Sequence, residues 1–333
     1  MRVALLLEEL STVHSIQIPA PYDMRTINLH LIQRGNSLIL VDAGVNTESC
    51  WDGLVQGLHR LGFAVSDISC IVLTHSHIDH IGLLSRITSQ DKVPVYAHPE
   101  AFHRLNKDQE FQAMRWTFFE ELYESMGCGE LGRSTVEGMR VAGRRRLSAL
   151  ASDNLHPIHS GDYIAGLSVL ETPGHSPDHA MFIDYRQRLL FSGDMLIRHM
   201  PSNAMIEPNR MGQRLSTLVQ YMASLEQCMK LGGMTAYPGH GQPITDLPAL
   251  ARLRLQRIRR RIHRIQQFIA NGISVPVEIA VACYKELYVN DFSMVMSELI
   301  GCLDYLEAHH QVTKRKIGTV WHYQVTTSCN SNV

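Results

Sequence analysis

The sequence predicts a mixed protein of class α/β (α+β). Its strands and helices alternate in two halves that pack as a four-layer αβ/βα sandwich. Short apolar, β-branched runs alternate with helical patterns from residue 13 to about residue 100, and strands and turns resume from about residue 155 to 240. Two mainly helical stretches interrupt this alternation, at about residues 100–150 and after residue 246. We therefore expect a helical insertion in the sandwich and a small C-terminal domain.

The first half contains the strand patterns that open the sandwich. Short runs rich in Val, Ile and Leu predict strands at residues 13–18, 25–33, 37–41, 70–74 and 92–97. A helix is predicted between the third and fourth strands, at residues 46–61. Another helix is predicted to open at Asp79, shortly after the fourth strand.

The insertion consists of two predicted helices, at residues 101–126 and 135–150, and contains no metal-ligand motif. One face repeats at near-helical spacing and comprises Gln112, Trp116, Phe119, Tyr123 and Met126. Such a face predicts packing on the core. It also fits a lid over a cleft, in which the aromatic side chains shape a substrate pocket, and the two interpretations are compatible.

The C-terminal block, residues 246–333, is predicted to form a small domain behind a main domain of residues 1–245. Its predicted elements are an Arg-rich helix at 247–268, a helix from Ser274, a helix at 295–309 and a hairpin of strands at 312–317 and 319–324. Three helices and a hairpin have the outline of a winged helix. The arginines favour either a solvated face or contact with nucleic acid.

The most informative run is Thr74–His80, in which Thr-His-Ser-His-Ile-Asp-His places three imidazoles and one carboxylate within six residues. His75 and His77 follow an apolar strand, and an extended backbone sends positions i and i+2 to the same side. Asp79 and His80 open the next helix and face the opening from another angle. Histidine nitrogen mixed with carboxylate oxygen suits zinc, iron or manganese. The arrangement predicts two adjacent ions rather than one.

Three later segments share one sequence motif, in which a short apolar strand is followed by a turn that contains glycine and then by one ligand-type residue. They are Thr-Pro-Gly-His ending at His175, Phe-Ser-Gly-Asp ending at Asp194, and Tyr-Pro-Gly-His with its histidine at His240. Glycine permits the tight turn that lifts a side chain off a strand end. Together with the His-rich run, the three turns predict a shared metal site.

These motifs resemble the metallo-β-lactamase-fold hydrolase superfamily, whose pattern of His-x-His-x-Asp-His, then His, then Asp, then His is present in order over roughly residues 13–245. The resemblance implies a site of seven ligands that holds two ions. The ligands of the first ion would be His75, His77 and His175, those of the second Asp79, His80 and His240, and Asp194 would bridge the pair.

The resemblance also implies supporting residues and a subfamily. Asp42 would support the ligands from behind, although a turn-starting aspartate at a strand end is the alternative. His179 is expected to be structural or supporting. With its C-terminal block, the chain resembles the subfamily that contains the animal β-lactamase-like endoribonuclease, and glyoxalase II-like thioesterases share most of the same residues.

Such a site predicts hydrolysis without a covalent intermediate. Two divalent cations that share a water lower its pKa from near 16 to about 7, which supplies a bridging hydroxide at neutral pH. The sequence contains no Gly-x-Ser-x-Gly elbow and no Walker-type phosphate loop. Three neutral nitrogens around the first ion favour zinc, and the carboxylates of Asp79 and Asp194 leave iron(II) or manganese(II) open.

The catalytic candidates are Asp79, within the His-rich run, and His199, which follows the Asp194 motif. His199 is expected either to contact substrate or to donate a proton to the leaving group, and an ordinary loop histidine is the alternative interpretation. The sequence does not identify the leaving-group acid further.

Composition bounds the remaining possibilities. The chain has 333 residues, a formal net charge of -1 and no bias toward nucleic acid or membranes. Its seven cysteines form no Cys-x-x-Cys pair, which fits a reducing compartment. The N-terminal apolar run is too short for a signal peptide, and no stretch approaches the ~20 apolar residues of a membrane span. We therefore expect a cytoplasmic protein.

Two functions remain open at this stage. A small-molecule hydrolase that cleaves a thioester, lactone or similar ester is favoured by the near-neutral charge and the aromatic insertion. The alternative is a metal-dependent endoribonuclease acting on single-stranded RNA, which the Arg-rich helix and the winged-helix outline favour. The aromatic stacking residues expected of a single-strand binder are missing from the core motifs. A homo-oligomer is compatible with the sequence.

Overall fold

The first sheet holds six strands, in a computed structural model that describes residues 10–20, 24–89, 92–144 and 154–326. In sheet order the strands are β1 (Thr12–Pro19), β2 (Thr26–Arg34), β3 (Ser37–Val41), β4 (Ile68–Val72), β5 (Val95–Ala97) and β6 (Leu155–Pro157). The pairs β1–β2 and β2–β3 are antiparallel, and the pairs from β3 to β6 are parallel. The predicted strand at 70–74 therefore ends at Val72, so His75 and His77 lie in the segment that follows the strand.

The second sheet holds five strands in the order β11-β10-β9-β8-β7. They are β7 (Tyr163–Ile164), β8 (Leu167–Glu171), β9 (Ala180–Asp184), β10 (Leu189–Gly193) and β11 (Thr235–Pro238). β9 is antiparallel to both β8 and β10, whereas β10 is parallel to β11. β8, β10 and β11 consequently run in the same direction.

The helices lie between and outside these strands. They are α1 (Glu48–Arg60), α2 (Ile78–Ile81), α3 (Leu84–Ile87), α4 (Phe102–Leu105), α5 (Gln109–Ser125), α6 (Gly129–Arg144), α7 (Thr217–Cys228), α8 (Leu247–Ala270), α9 (Pro276–Tyr284), α10 (Leu287–Asn290) and α11 (Phe292–Ala308). Two short 3-10 helices, Val65–Asp67 and Pro99–Ala101, complete the described helical elements.

Apolar residues form three layers, as alternation between two buried sheet faces requires. Val72 of the first sheet and Phe182 of the second belong to one cluster between the sheets. Leu54 of α1 packs with the outer face of the first sheet. Leu225 of α7 and Leu190 of β10 share a cluster on the outer face of the second. The predicted four-layer αβ/βα sandwich is confirmed.

The insertion differs from the predicted pair of helices in where it breaks. The predicted helix at 101–126 is interrupted between α4 and α5, because Lys107 adopts a left-handed backbone with φ +54°. The Asp108 side chain then accepts a hydrogen bond from the backbone N–H of Phe111 and begins α5. α6 starts at Gly129 rather than at residue 135, and predicted helical residues 145–150 lie outside the described residues.

The C-terminal block contains its predicted elements in the predicted order, with the hairpin formed by β12 (Val312–Ile317) and β13 (Val320–Val325). Its helices share an apolar cluster with the second sheet, since Leu255 of α8 and Leu299 of α11 belong to the same cluster as Leu190. The domain boundary near residue 245 and the winged-helix interpretation stay predictions.

Two sequence expectations concern the whole chain. Six cysteines, Cys50, Cys70, Cys128, Cys228, Cys283 and Cys302, are unpaired and buried, and Cys329 lies outside the described residues. Within the described ranges, no helix combines the length and apolar character needed to cross a membrane.

Candidate metal centre

Strand ends from both sheets meet at one edge of the sandwich, and the candidate ligands follow them. Asp42 and His75 lie just beyond the ends of the parallel strands β3 and β4. His175, Asp194 and His240 lie just beyond β8, β10 and β11, which run in one direction. Because the carboxyl ends of strands that run the same way share an edge, the topology gathers side chains that are distant in sequence.

The first group of candidate ligands consists of His75, His77 and His175. Nδ1 of His77 lies 3.0 Å from Nε2 of His75 and 3.0 Å from Nε2 of His175. Nitrogens that bind one tetrahedral zinc at 2.0–2.1 Å are about 3.3 Å apart. Both distances are close to the spacing of ligands around a single ion, and all three ligand atoms lie within 4.8 Å of one another.

Hydrogen bonds to Nδ1 determine which nitrogen faces the other ligands in two of these histidines, His75 and His175. Thr74 Oγ1 donates to Oδ2 of Asp42 at 2.8 Å, so its lone pair accepts from Nδ1–H of His75 at 3.0 Å. Nδ1–H of His175 donates to the carbonyl oxygen of Asn203 at 2.9 Å. In both rings the proton sits on Nδ1, which leaves the Nε2 lone pair free to bind a cation.

The second group consists of Asp79, His80 and His240. Oδ2 of Asp79 lies 3.3 Å from Nε2 of His240 and 4.0 Å from Nε2 of His80. Nδ1 of His80 donates to Oδ2 of Asp42 at 2.8 Å, and Nδ1 of His240 donates to the carbonyl oxygen of Thr26 at 2.7 Å. These bonds again turn Nε2 of each ring toward the group.

Asp194 lies between the two groups. Its Oδ1 is 3.5 Å from Nε2 of His80, and its Oδ2 is 3.3 Å from Nε2 of His240 and 3.8 Å from Nε2 of His175. Its backbone N–H donates to Nε2 of His179 at 3.2 Å. Burial lowers the pKa of His179 to about 3, so this ring stays a neutral acceptor that positions Asp194.

The two groups differ in charge. Burial lowers the pKa of His75, His77 and His175, that of His77 to about 3, so the first group is neutral as ligation requires. Burial would also lower the pKa of His240, but the Asp194 and Asp79 carboxylates outweigh it and raise the pKa to about 10. The second group therefore pairs carboxylates with imidazoles that bind protons readily.

Three atoms of this cluster are buried without a hydrogen-bond partner among the described residues: Nε2 of His80, Oδ1 of Asp194 and Nε2 of His240. Leaving a buried polar atom unpaired costs about 1–3 kcal/mol. Coordination of divalent cations would satisfy all three atoms, and the mixed nitrogen and carboxylate donors suit such ions. The residues present therefore fit a pair of divalent metal ions.

Gly239 allows the second sheet to approach this cluster closely. A Cβ atom at this position would lie 2.5 Å from Oδ1 of Asp194 and 2.6 Å from Cε1 of His80. The glycine in the Pro-Gly-His turn is thus required by the space that the ligand side chains occupy.

The two catalytic candidates occupy different places. The Asp79 side chain is 19% exposed and that of Asp194 8%, so Asp79 is the carboxylate nearer the opening. His199 is half-buried against the His240 turn, where a Cβ on Gly241 would lie 2.5 Å from its Cε1. Within the described part of the chain, the clusters able to hold a metal do not include His199. Both catalytic roles stay predictions.

The sequence did not reveal which residues outside the ligand set support the site, and Arg254 is the main example. This buried side chain of α8 donates to the carbonyl oxygens of Ile197 at 2.8 Å and Met200 at 2.7 Å. The segment that it holds leads to Asn203, the partner of His175. Helical spacing could have revealed the burial, since Arg254 lies three residues after Ala251 on the apolar face of α8.

Other arginines of α8 also have partners inside the protein. Arg261 lies 2.6 Å from Oε2 of Glu298, and Arg264 donates to the carbonyl oxygen of Cys283 at 3.2 Å. Arg254, Arg261 and Arg264 are thus engaged in packing the C-terminal helices, and contact of α8 with RNA stays a prediction.

The aromatic face of α5 divides between the core and a cavity. Phe119, Tyr123 and Met126 belong to the apolar cluster beneath the second sheet. Gln112 and Trp116 line a cavity of about 420 Å³ next to the ligand-bearing turn. Packing of this helix on the core is confirmed for those three residues, and the interpretation as a lid that shapes a substrate pocket stays a prediction.

Known proteins resemble this chain in sequence and in fold. Residues 22–240 match the model of the Metallo-beta-lactamase superfamily. The chain is 28% identical over 313 residues to "Probable metallo-hydrolase YqjP" of Bacillus subtilis (strain 168), which covers 94% of this chain and 97% of that relative. It is 26% identical over 250 residues to "Atrochrysone carboxyl ACP thioesterase" of Claviceps purpurea (strain 20.1), covering 75% of this chain and 62% of the relative.

Two solved structures are similar in fold to nearly the whole chain. A metallo-beta-lactamase family protein from Thermus thermophilus superposes with a TM-score of 0.78 and 26% identity, covering 94% of this chain and 98% of that one. A beta-lactamase domain protein from Burkholderia ambifaria has the same fold, with a TM-score of 0.78 at 18% identity over 96% of this chain and 94% of that one. The chain therefore belongs to the metallo-beta-lactamase superfamily and is a metallo-hydrolase.

Proposed function

We propose that this metallo-hydrolase uses a dinuclear site to cleave an ester-type bond of a small molecule, such as a thioester or a lactone. The convergence of seven candidate ligands at one edge of the sandwich carries the proposal. In it, His75, His77 and His175 would hold one ion, Asp79, His80 and His240 would hold the second, and Asp194 would be shared between them. The donor set favours zinc, and iron(II) or manganese(II) are the alternatives.

When bound, the two ions supply an activated water and polarise the substrate carbonyl. The chain's own groups orient the reactants. Asp79, the more exposed carboxylate, is the proposed acceptor of a hydrogen bond from the attacking water. His199 lies beside the His240 turn and is the proposed proton donor to the leaving group. His179 and Asn203 keep Asp194 and His175 in place.

Two observations support an acyl substrate. The cavity beside the ligand-bearing turn has apolar side chains in its lining, including Ile78, Leu105 and Trp116. Curated relatives include two atrochrysone carboxyl ACP thioesterases, from Claviceps purpurea and Aspergillus fumigatus. A cavity with apolar surface next to a carbonyl-activating centre suits an acyl ester.

Metal analysis combined with a panel of thioesters, lactones and phosphodiesters tests the proposal. We expect about two ions per chain and hydrolysis of at least one acyl ester. His77→Ala and Asp194→Ala should abolish turnover while far-UV circular dichroism is unchanged, and His309→Ala, at an exposed histidine, should keep full activity. A metal-free preparation working at full speed would rule the proposal out.

Single-stranded RNA in the same panel tests the alternative function. Nuclease binding should weaken steeply with added salt, because phosphate contacts release counterions. Arg257→Glu and Arg260→Glu change exposed residues of α8 and should reduce RNA cleavage if this helix binds RNA. Under the acyl-ester proposal both variants hydrolyse the small ester at the wild-type rate.

A further inference from the structure

A second cluster of ligand-type side chains lies outside the candidate metal centre. Among the described residues, His98, His159 and Glu171 form the one further group whose ligand atoms all lie within 4.8 Å of one another. Oε1 of Glu171 lies 3.1 Å from Nδ1 of His159 and 3.4 Å from Nε2 of His98. Ligands that bind one tetrahedral zinc at about 2.0–2.2 Å lie roughly 3.3–3.6 Å apart. Both distances are therefore close to the spacing of ligands around one ion.

The fold brings these three side chains together from both sheets. His98 directly follows β5, and His159 lies two residues beyond β6, so both belong to the first sheet. Glu171 is the last residue of β8 in the second sheet. β6 is a three-residue strand at the edge of the first sheet and pairs with β5. An ion held by all three side chains would join this short edge strand to the second sheet.

Hydrogen bonds already hold the backbone on both sides of this junction. The N–H of His159 donates to Oδ2 of Asp162 at 2.8 Å. The N–H of Glu171 donates to Oγ of Ser160 at 2.7 Å, which links the end of β8 to the segment after β6. Because the backbone is held before an ion arrives, little conformational entropy is lost when the ion binds.

The ring of His98 limits the affinity that this group can reach. Its Nδ1 accepts the backbone N–H of Glu100 at 3.1 Å, so the neutral ring carries its proton on Nε2, toward Glu171. When an ion binds Nε2, the ring takes up a proton at Nδ1 in exchange, and the bond from Glu100 is lost. Loss of one such bond weakens ion binding by up to about tenfold. We therefore expect weaker binding here than in the candidate metal centre.

We propose that His98, His159 and Glu171 bind a third divalent ion, zinc, which joins the end of β6 to the end of β8. Two imidazoles and one carboxylate suit zinc, with a water in the fourth position. The His159 side chain is 62% exposed and that of Glu171 30%, so an ion reaches the group from solvent. The ion stabilises the folded chain, because only folding gathers these ligands. This inference is independent of the proposed ester hydrolysis.

Zinc titration of the metal-loaded protein tests the proposal. After gel filtration without added metal, the protein should retain about two ions per chain, because the third ion is held more weakly. Calorimetric titration with zinc should then add one further ion. At a hundredfold excess of free zinc over the dissociation constant, the melting temperature should rise by about 3 °C or more. A wild-type protein that takes up no further ion, or takes it up without this rise, would overturn the inference.

Three variants distinguish an ion site from a hydrogen-bonded cluster. His159→Gln keeps an N–H donor for Glu171 but loses the imidazole ligand. Glu171→Gln loses the carboxylate, and His98→Asn keeps an acceptor for the N–H of Glu100 at the start of the 3-10 helix. Each variant should lose the zinc-dependent rise in melting temperature. His263→Gln, at an exposed histidine of α8, is the control and should keep it. A full rise in the three variants would show that these side chains bind no ion.

A count of bound ions separates this inference from the proposed function. In Asp194→Ala, which lacks the shared ligand of the candidate metal centre, zinc uptake with and without His159→Gln should differ by one ion per chain. If the wild-type protein cleaves no ester, the proposed function fails while this count still tests the third ion. If the two proteins bind equal numbers of ions, the inference alone fails.

Discussion

Nδ1 of His80 lies 2.8 Å from Oδ2 of Asp42, and both side chains are almost fully buried. Oδ1 of the same carboxylate accepts the backbone N–H of Thr74 at 2.8 Å. Asp42 itself has a left-handed backbone with φ +60°. The end of β3 thus orients a candidate ligand and anchors the start of the ligand-bearing turn, and the surrounding bonds maintain the strained conformation.

Asp42→Asn is expected to weaken metal binding roughly 10- to 100-fold, the usual effect of removing a carboxylate behind a ligating histidine. Asparagine tolerates the left-handed backbone, so the change isolates the lost charge from backbone strain. Competition with a chromogenic chelator measures the affinity. Asp52→Asn, at an exposed position of α1, is the control, and equal affinities of the two variants would contradict the expectation.

Gly239→Ala is expected to lower metal content and to reduce kcat/KM for the preferred ester more than tenfold. The added Cβ would lie 2.5 Å from Oδ1 of Asp194, so that side chain or the turn must move. Metal analysis, ester hydrolysis and circular dichroism on one preparation separate site damage from unfolding. At Gly232 the nearest atom to an added Cβ is 4.0 Å away, and Gly232→Ala should behave as wild type.

Arg254→Met is expected to lower the free energy of unfolding by about 2–3 kcal/mol, because hydrogen bonds from a buried charged group to the carbonyls of Ile197 and Met200 are lost. Methionine keeps much of the packing volume. Urea unfolding at saturating metal measures the change. Arg257→Met, on the exposed face of α8, should stay within about 0.5 kcal/mol of wild type, and a similar loss there would refute the distinction.

Glu207 should make stability depend on acid pH. Burial would raise its pKa, but Arg115 and Arg104 lower it from 4.5 to about 2. The stabilisation is therefore complete above the unfolded pKa and is lost as pH falls from about 4.5 toward 2, with a size of about 3 kcal/mol. Glu207→Gln lacks this contribution. The difference in free energy of unfolding between wild type and Glu207→Gln should therefore become smaller as the pH falls from 6 to about 3.

Urea unfolding of both proteins across this pH range tests the sign and the size of the effect. Glu226→Gln is the control, since Glu226 is 53% exposed and lies 3.7 Å from Arg259. The free energy of unfolding of Glu226→Gln should differ little from that of wild type at every pH. If the difference in free energy of unfolding between Glu207→Gln and wild type stayed constant or grew in acid, the two arginines would not be keeping this carboxyl ionised.

The sequence by itself determined the elements and the ligand-type residues. Apolar runs set the strands, and their alternation with helical patterns, together with the family resemblance of the motifs, predicted the sandwich that the structure confirms. The sequence did not predict helix α7 (Thr217–Cys228), because only strands and turns were expected from about residue 155 to 240. The glycine turns marked His175, Asp194 and His240 because a strand end followed by a tight turn has a local residue signature.

Only the tertiary structure decided how these residues act together. The available nitrogens of His175 and His240 are selected by the carbonyl oxygens of Asn203 and Thr26, and any residue type could supply a carbonyl. The backbone break at Lys107 likewise depends on what packs nearby. Local periodicity carries no information on such distant contacts, whereas hydrogen bonds and charge balance depend on distances in space.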